Sequence, residues 1–239
     1  MEQHIYFNNL KKAFESEQFL SKETKTLIPI GIDSEKNFVF EDLKDLKSII
    51  MAGATGTGKS NFAHCIISSL LQQKDKLSLV LCDCKRCEFS IYKDIDCLIG
   101  DVATGEEDIK KQLDFINTEI QLRSPENDNV MVVIMDEYSD AYWYYPDFFK
   151  KTIINLTKNG PDLNMFLIMY TSRPDPEHEM PKELRDAFFT KIAFNTASPE
   201  DSRAIIGEVG AEKLSGNGDM LFKKGNKALK RLQGFYMLN

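Results

Sequence analysis

Gly53-Ala54-Thr55-Gly56-Thr57-Gly58-Lys59-Ser60 matches the spacing G-x-x-x-x-G-K-[ST], and Asn61 follows it into a helical pattern. Glycines at these positions let the backbone curl until its N–H groups and the next helix N-terminus point at phosphate oxygens. Lys59 adds a point charge for the β and γ oxygens, and the Ser60 hydroxyl is a ligand for Mg²⁺. A glycine-rich turn matching by chance would not be expected to hold all these positions in register between a strand-like run and a helix. Gly53 through Asn61 are therefore read as a site for ATP with Mg²⁺.

Such a site needs a carboxylate on a neighbouring strand to hold the metal shell. Val132-Val133-Ile134-Met135-Asp136-Glu137 offers apolar residues followed by two acids. Asp136 is assigned to Mg²⁺. Glu137, one residue further on, points differently and is assigned to polarise the attacking water. Lys59, Asp136 and Glu137 together specify nucleotide hydrolysis, but not its purpose.

The elements that must position these residues are legible as alternating patterns. Ile49–Ala52, Leu77–Cys82, Val130–Met135, Met165–Tyr170 and Lys191–Phe194 are short, nearly uninterrupted apolar runs, as buried parallel strands are. Asn61–Gln73 and Glu106–Arg123 carry apolar residues at helical spacing. The alternation predicts an α/β fold with a mostly parallel central sheet flanked by helices. Ser198 before Pro199, with Gly207 beyond, predicts a further helix, and Asp219–Phe222 with Leu229–Tyr236 a closing hairpin.

Length and charge bound the reading. The 239 residues, 42% of them hydrophobic, suffice for one continuous domain with a real core. Thirty basic against 37 acidic residues leave a net charge of −7, so contact with nucleic acid must be local. No apolar run approaches the roughly 18–20 residues of a membrane span, and the opening residues do not have a signal-peptide pattern. Five cysteines in a chain this long do not make a disulfide framework, which makes the cytoplasm the expected location.

Other stretches add a resemblance. Leu27-Ile28-Pro29-Ile30-Gly31-Ile32-Asp33, Asp83-Cys84-Lys85-Arg86-Cys87-Glu88 and Thr171-Ser172-Arg173-Pro174 resemble segments of the FtsK/SpoIIIE family of DNA translocases. So do Lys191-Ile192-Ala193-Phe194, Asp201-Ser202-Arg203 and the rarer string Gly210-Ala211-Glu212-Lys213-Leu214-Ser215-Gly216-Asn217-Gly218-Asp219. The resemblance covers nearly the whole chain. It implies a RecA-like P-loop ATPase over residues 27–239, preceded by a lead-in segment, 1–26, packed on it. It further implies a homo-hexameric ring that threads double-stranded DNA through its pore at the expense of ATP. The family's membrane segment and winged-helix module have no counterpart here, so the chain is read as an excised motor or a free-standing relative.

The departures from the family are as specific. Ser172 stands where the family usually has a glutamine that senses the γ-phosphate. Lys191 and Pro161 stand where arginines are common, which leaves Arg203 and Arg173 as candidates for the arginine a neighbouring subunit would contribute. Each is equally able to sit in an ordinary ion pair. Asp83, Lys85 and Glu88 match the family pattern and are expected to order the loop beside the nucleotide. Cys82, Cys84 and Cys87 are spaced like metal ligands but lack an obvious fourth partner. The aromatic run Tyr138 to Phe149 is assigned to core or subunit packing ahead of base stacking. Arg173, Lys182 and Arg185, in or beside the irregular stretch after the fourth run, are the expected contacts to DNA phosphates. Two other functions fit the same motifs: a secretion ATPase of the same superfamily that moves protein, and a slow nucleotide-gated assembly module.

Overall fold

A computed structural model describes residues 10–21, 26–73, 76–175 and 180–237. The apolar runs form strands: β3 Ser48–Ala52, β4 Leu77–Asp83, β5 Val130–Asp136, β6 Met165–Thr171 and β7 Thr190–Phe194. Four strands the periodicity did not delimit, or placed only roughly, complete the set: β1 Leu27–Ile32, β2 Phe38–Asp42, β8 Asp219–Lys224 and β9 Lys230–Gln233. Among the described residues these make one 9-stranded sheet in the order β2-β1-β9-β8-β7-β3-β6-β5-β4.

Strands β7, β3, β6, β5 and β4 pair in parallel, whereas β7–β8, β8–β9, β9–β1 and β1–β2 are antiparallel. The sheet is mixed, which corrects the expectation of a mostly parallel one. The added half is built from hairpins, whose short turns reverse the chain and need no crossover helix. A second correction concerns neighbours. β6 lies between β3 and β5, so the carboxylates at the end of β5 stand one strand removed from the P-loop strand.

Alternation along the central strands builds a core on each face. Ile50, Ala52, Val133, Met135, Leu167 and Met169 face the helices Glu106–Leu122 and Pro146–Asn159, which contribute Ile109, Leu113, Ile116, Phe149, Ile153 and Leu156. Ile49, Met51, Val132, Ile134, Ile168 and Tyr170 face the helix Lys59–Gln72 through Phe62, Ile66, Ile67 and Leu70. Burial on both faces is why these strands read as continuous apolar runs. It also puts Asp136, two residues beyond Ile134, on the face that carries the P-loop helix.

The helix over Pro199–Ile206 begins as its sequence predicts: Ser198 Oγ accepts from the Asp201 amide at 3.1 Å, and Gly207 ends it at φ 78°. From the lead-in segment, Leu10, Ala13 and Phe19 are buried against Phe40, Cys65 and Phe235. Residues 1–9 and 22–25 of that segment lie outside the described residues.

Candidate nucleotide site

The P-loop joins the carboxyl end of β3 to the helix Lys59–Gln72, where the first amides have no intrahelical acceptor and face the loop. Its shape is fixed by contacts with other segments. The Ala54 amide donates to Asn195 O at 2.7 Å, and the Gly218 amide donates to Thr57 O at 2.8 Å. Gly58 has φ 121°, and a Cβ there would come within 2.9 Å of the Gly218 backbone. The rare C-terminal string therefore lies against the P-loop, with Gly216, Asn217 and Gly218 all at positive φ to make that approach.

Lys59 Nζ donates to Gly53 O at 2.8 Å and Ala54 O at 3.0 Å, bridging the loop. Burial lowers its pKa to about 8, even with the Glu137 carboxylate opposing that shift. Ser60 Oγ donates to Glu88 Oε1 at 3.0 Å, and Glu88 Oε2 lies 3.5 Å from His64 Nε2. His64 Nδ1 is in turn 2.8 Å from the Tyr92 hydroxyl. Asn61 is turned away from the loop: its side chain donates to Phe235 O at 2.6 Å and accepts from the Met237 amide at 2.8 Å.

Asp136 is buried, and its Oδ2 has no hydrogen-bond partner among the described residues. Burial first, then the carboxylates of Glu88, Asp83 and Glu137, push its pKa up to about 7. An unpartnered carboxylate oxygen under mutual acidic repulsion, on the face that carries Ser60, fits a hard divalent cation. No trio of His, Cys, Asp or Glu poised around a metal occurs among the described residues. Mg²⁺, which keeps several waters and takes one or two protein oxygens, does not require one.

Glu137 follows β5 in the left-handed region, φ 44° and ψ 57°, which swings its side chain away from the direction Asp136 takes. Its Oε1 accepts from Thr171 Oγ1 at 2.5 Å, the Ser172 amide at 2.8 Å and Ser139 Oγ at 3.4 Å. Its Oε2 accepts from Ser172 Oγ and Lys85 Nζ. Burial alone would raise its pKa, but the hydrogen bonds from Lys85, Ser172 and Thr171 outweigh it and hold the carboxyl at about 2. Thr171 was given no role from sequence, although it opens the string Thr171-Ser172-Arg173-Pro174 that resembles the family.

Asp83 organises the loop after β4, its carboxylate accepting from the amides of Cys87, Glu88 and Phe89. Cys82 is sealed within β4 and burial pushes its thiol up to about 12, while Cys87 is exposed. In the aromatic run, Tyr138 is buried and stacked on Phe149, whereas Trp143 is 62% exposed.

Of the cations proposed for DNA or a neighbouring subunit, Arg173 directly follows Ser172, and its amide donates to Thr171 Oγ1 at 3.1 Å. Arg173 is exposed just after β6. Arg203 pairs with Glu200 on the exposed face of its helix. Lys182 pairs with Asp186, 2.6 Å away. Arg185 is mostly buried, bonded to Asp186 and to Ala204 O at 3.2 Å near the end of the helix Pro199–Ile206.

The FtsK/SpoIIIE family model matches residues 9–206. The chain belongs to the FtsK/SpoIIIE family. It is 29% identical to the DNA translocase SftA of Bacillus subtilis over 96% of this chain and 27% of that protein. It thus spans about a quarter of that relative's length. Solved structures share the fold. The cytoplasmic domain of the Thermomonospora curvata type VII secretion ATPase EccC aligns with TM-score 0.75 and 19% identity, covering 89% of this chain and 29% of that one. The pCW3 conjugation coupling protein TcpA, solved with ATPγS, aligns with TM-score 0.75 and 20% identity, covering 92% and 68%. As an FtsK/SpoIIIE member, the chain is a P-loop NTPase. Among the described residues no helix is long and apolar enough to cross a membrane.

Proposed function

We propose that this chain is the motor of an ATP-driven translocase that moves double-stranded DNA through a homo-hexameric ring in the cytoplasm. The observation that carries the reading is the site itself. A P-loop, an unpartnered Asp136 oxygen and a separately oriented Glu137 lie at the carboxyl ends of parallel strands, in a chain whose curated relatives are named DNA translocases.

The chain's residues take distinct parts. The P-loop amides and Lys59 hold the phosphates, and Ser60 with Asp136 would hold Mg²⁺. When bound, Mg²⁺ screens the charge on the β and γ oxygens. Glu137 accepts a proton from the attacking water, and Glu88 orients the Ser60 hydroxyl. Arg203 or Arg173 of a neighbouring subunit completes the site. Lys182 faces DNA phosphates, joined by Arg173 where Arg203 supplies the neighbouring subunit's arginine, and Arg185 supports the segment that carries Lys182.

The deciding experiment is the ATPase rate with and without duplex DNA at low salt. Stimulation by DNA of unrelated sequences is expected. A rate indifferent to DNA would favour a protein-moving secretion ATPase, a reading that the shared fold with EccC keeps in view.

A further inference from the structure

Glu137 is met by a donor at every place a carboxylate offers. An ionised carboxylate offers about four lone-pair sites. Thr171 Oγ1 and Ser172 N fill one oxygen, with Ser139 Oγ 2.9 Å from Thr171 Oγ1 behind it, and Ser172 Oγ and Lys85 Nζ fill the other. A general base must reach the proton it abstracts within hydrogen-bond distance, and no place remains for a water.

These donors differ in how readily they can leave. Thr171 and Ser139 are buried, and the Ser172 amide is backbone anchored at the end of β6. Lys85 has its side chain 41% exposed, on a loop whose next residues, Arg86 and Cys87, are exposed as well. Its amine also donates to Ser172 Oγ at 3.3 Å, closing a triangle of Lys85, Ser172 and Glu137. Withdrawing Lys85 leaves Ser172 Oγ as the only donor on Glu137 Oε2 among the described residues.

We propose that Lys85 and Ser172 are positioning residues that keep Glu137 from the attacking water, and that a DNA phosphate competing for Lys85 Nζ frees it. The releasing agent rests on the reading above; the clasp itself does not. A lysine ammonium is a compact point charge on a flexible stem, equally suited to a carboxylate or a phosphate oxygen. Duplex DNA presents one phosphate charge per about 1.7 Å of its axis, so Lys85 has many exchange partners once DNA is near. The loop that would sense DNA is then the loop that holds the base, and hydrolysis without DNA is suppressed.

The test is steady-state ATPase of the full chain at saturating Mg²⁺ and varied ATP, with and without duplex DNA, for wild type, Lys85→Met, Lys85→Arg and Ser172→Ala. Lys85→Met should raise the DNA-free kcat by roughly threefold or more with KM for ATP nearly unchanged, and DNA should add little further. Lys85→Arg, which keeps a cation, should retain the low DNA-free rate. If Lys85→Met misfolds by thermal melting, Ser172→Ala must show the rise in its place. A DNA-free kcat at or below wild type in the folded variants overturns the proposal. A wild type unresponsive to DNA instead removes DNA translocation, while the DNA-free kcat of Lys85→Met still decides whether the clasp exists.

Discussion

Gly58 of the P-loop and Gly218 of the C-terminal string touch backbone to backbone: a Cβ on Gly58 would stand 2.9 Å from both the Gly218 nitrogen and its Cα. Neither backbone has room to yield, and Gly58 also needs φ 121°. Gly58→Ala should therefore lower the free energy of unfolding by about 2–4 kcal/mol. Gly56, at φ 78° with nothing within 4 Å of its Cβ position, meets only the left-handed penalty, and Gly56→Ala should lower it by about 1 kcal/mol. Urea unfolding of the two variants compares them directly. Equal losses would mean that the contact with Gly218 contributes nothing.

Lys59 is the only side chain of the P-loop that carries a charge. Lys59→Ala should abolish nucleotide binding or turnover, because nothing beside it can replace that charge on the phosphates. Nucleotide titration and ATPase assays read the loss. Undiminished turnover would remove the site assignment.

Glu137→Gln keeps the shape of the side chain and removes the base. ATP and Mg²⁺ should still bind, while hydrolysis falls by roughly 10²-fold or more. A variant unable to bind ATP would exchange the roles of Glu137 and Asp136.

The cations after β6 should separate into two classes. Arg173 and Lys182 are exposed, so Arg173→Ala with Lys182→Ala should weaken binding of unrelated duplexes about equally and reduce the salt slope by about 1 per lost phosphate contact. Arg185 is engaged with Asp186 and Ala204 O, and Arg185→Ala should lower the melting temperature more than it lowers DNA affinity. Binding isotherms at several salt concentrations decide. An unaltered slope in the double variant would place the DNA surface elsewhere.

Asp219 is nearly buried at the start of β8, where burial would raise its carboxyl. Its bonds from Arg231 and from the Ser215 amide and hydroxyl hold it below the ordinary value instead. A carboxyl lowered in the folded state stabilises the protein above its unfolded value, about 3.9, and that contribution is lost as pH falls through the folded value. Wild type should therefore exceed Asp219→Asn in stability at pH 7, with the gap closing below about pH 4. Urea melts across that range measure it, and a gap that holds or widens in acid contradicts the ion pair as its source.

The local features of this protein were legible in its sequence because their signals are local. The spacing of Gly53 to Ser60, the apolar runs of β3 to β7 and the Ser198 cap each depend on neighbours a few residues away. Periodicity also placed Asp136 and Glu137 at a strand end. What periodicity cannot say is which strand lies beside which, because alternation sets the face a residue takes and not the partner across the ladder. Only tertiary structure decided that β6 separates β3 from β5, that hairpins extend the sheet on the side of β7, and that Gly218 closes on Gly58. It also decided that Lys85 and Ser172, from loops 87 residues apart in the chain, meet on one carboxylate. Parallel strands bring their carboxyl ends to one edge of the sheet, and that shared edge makes neighbours of residues whose separation in sequence carries no trace of it.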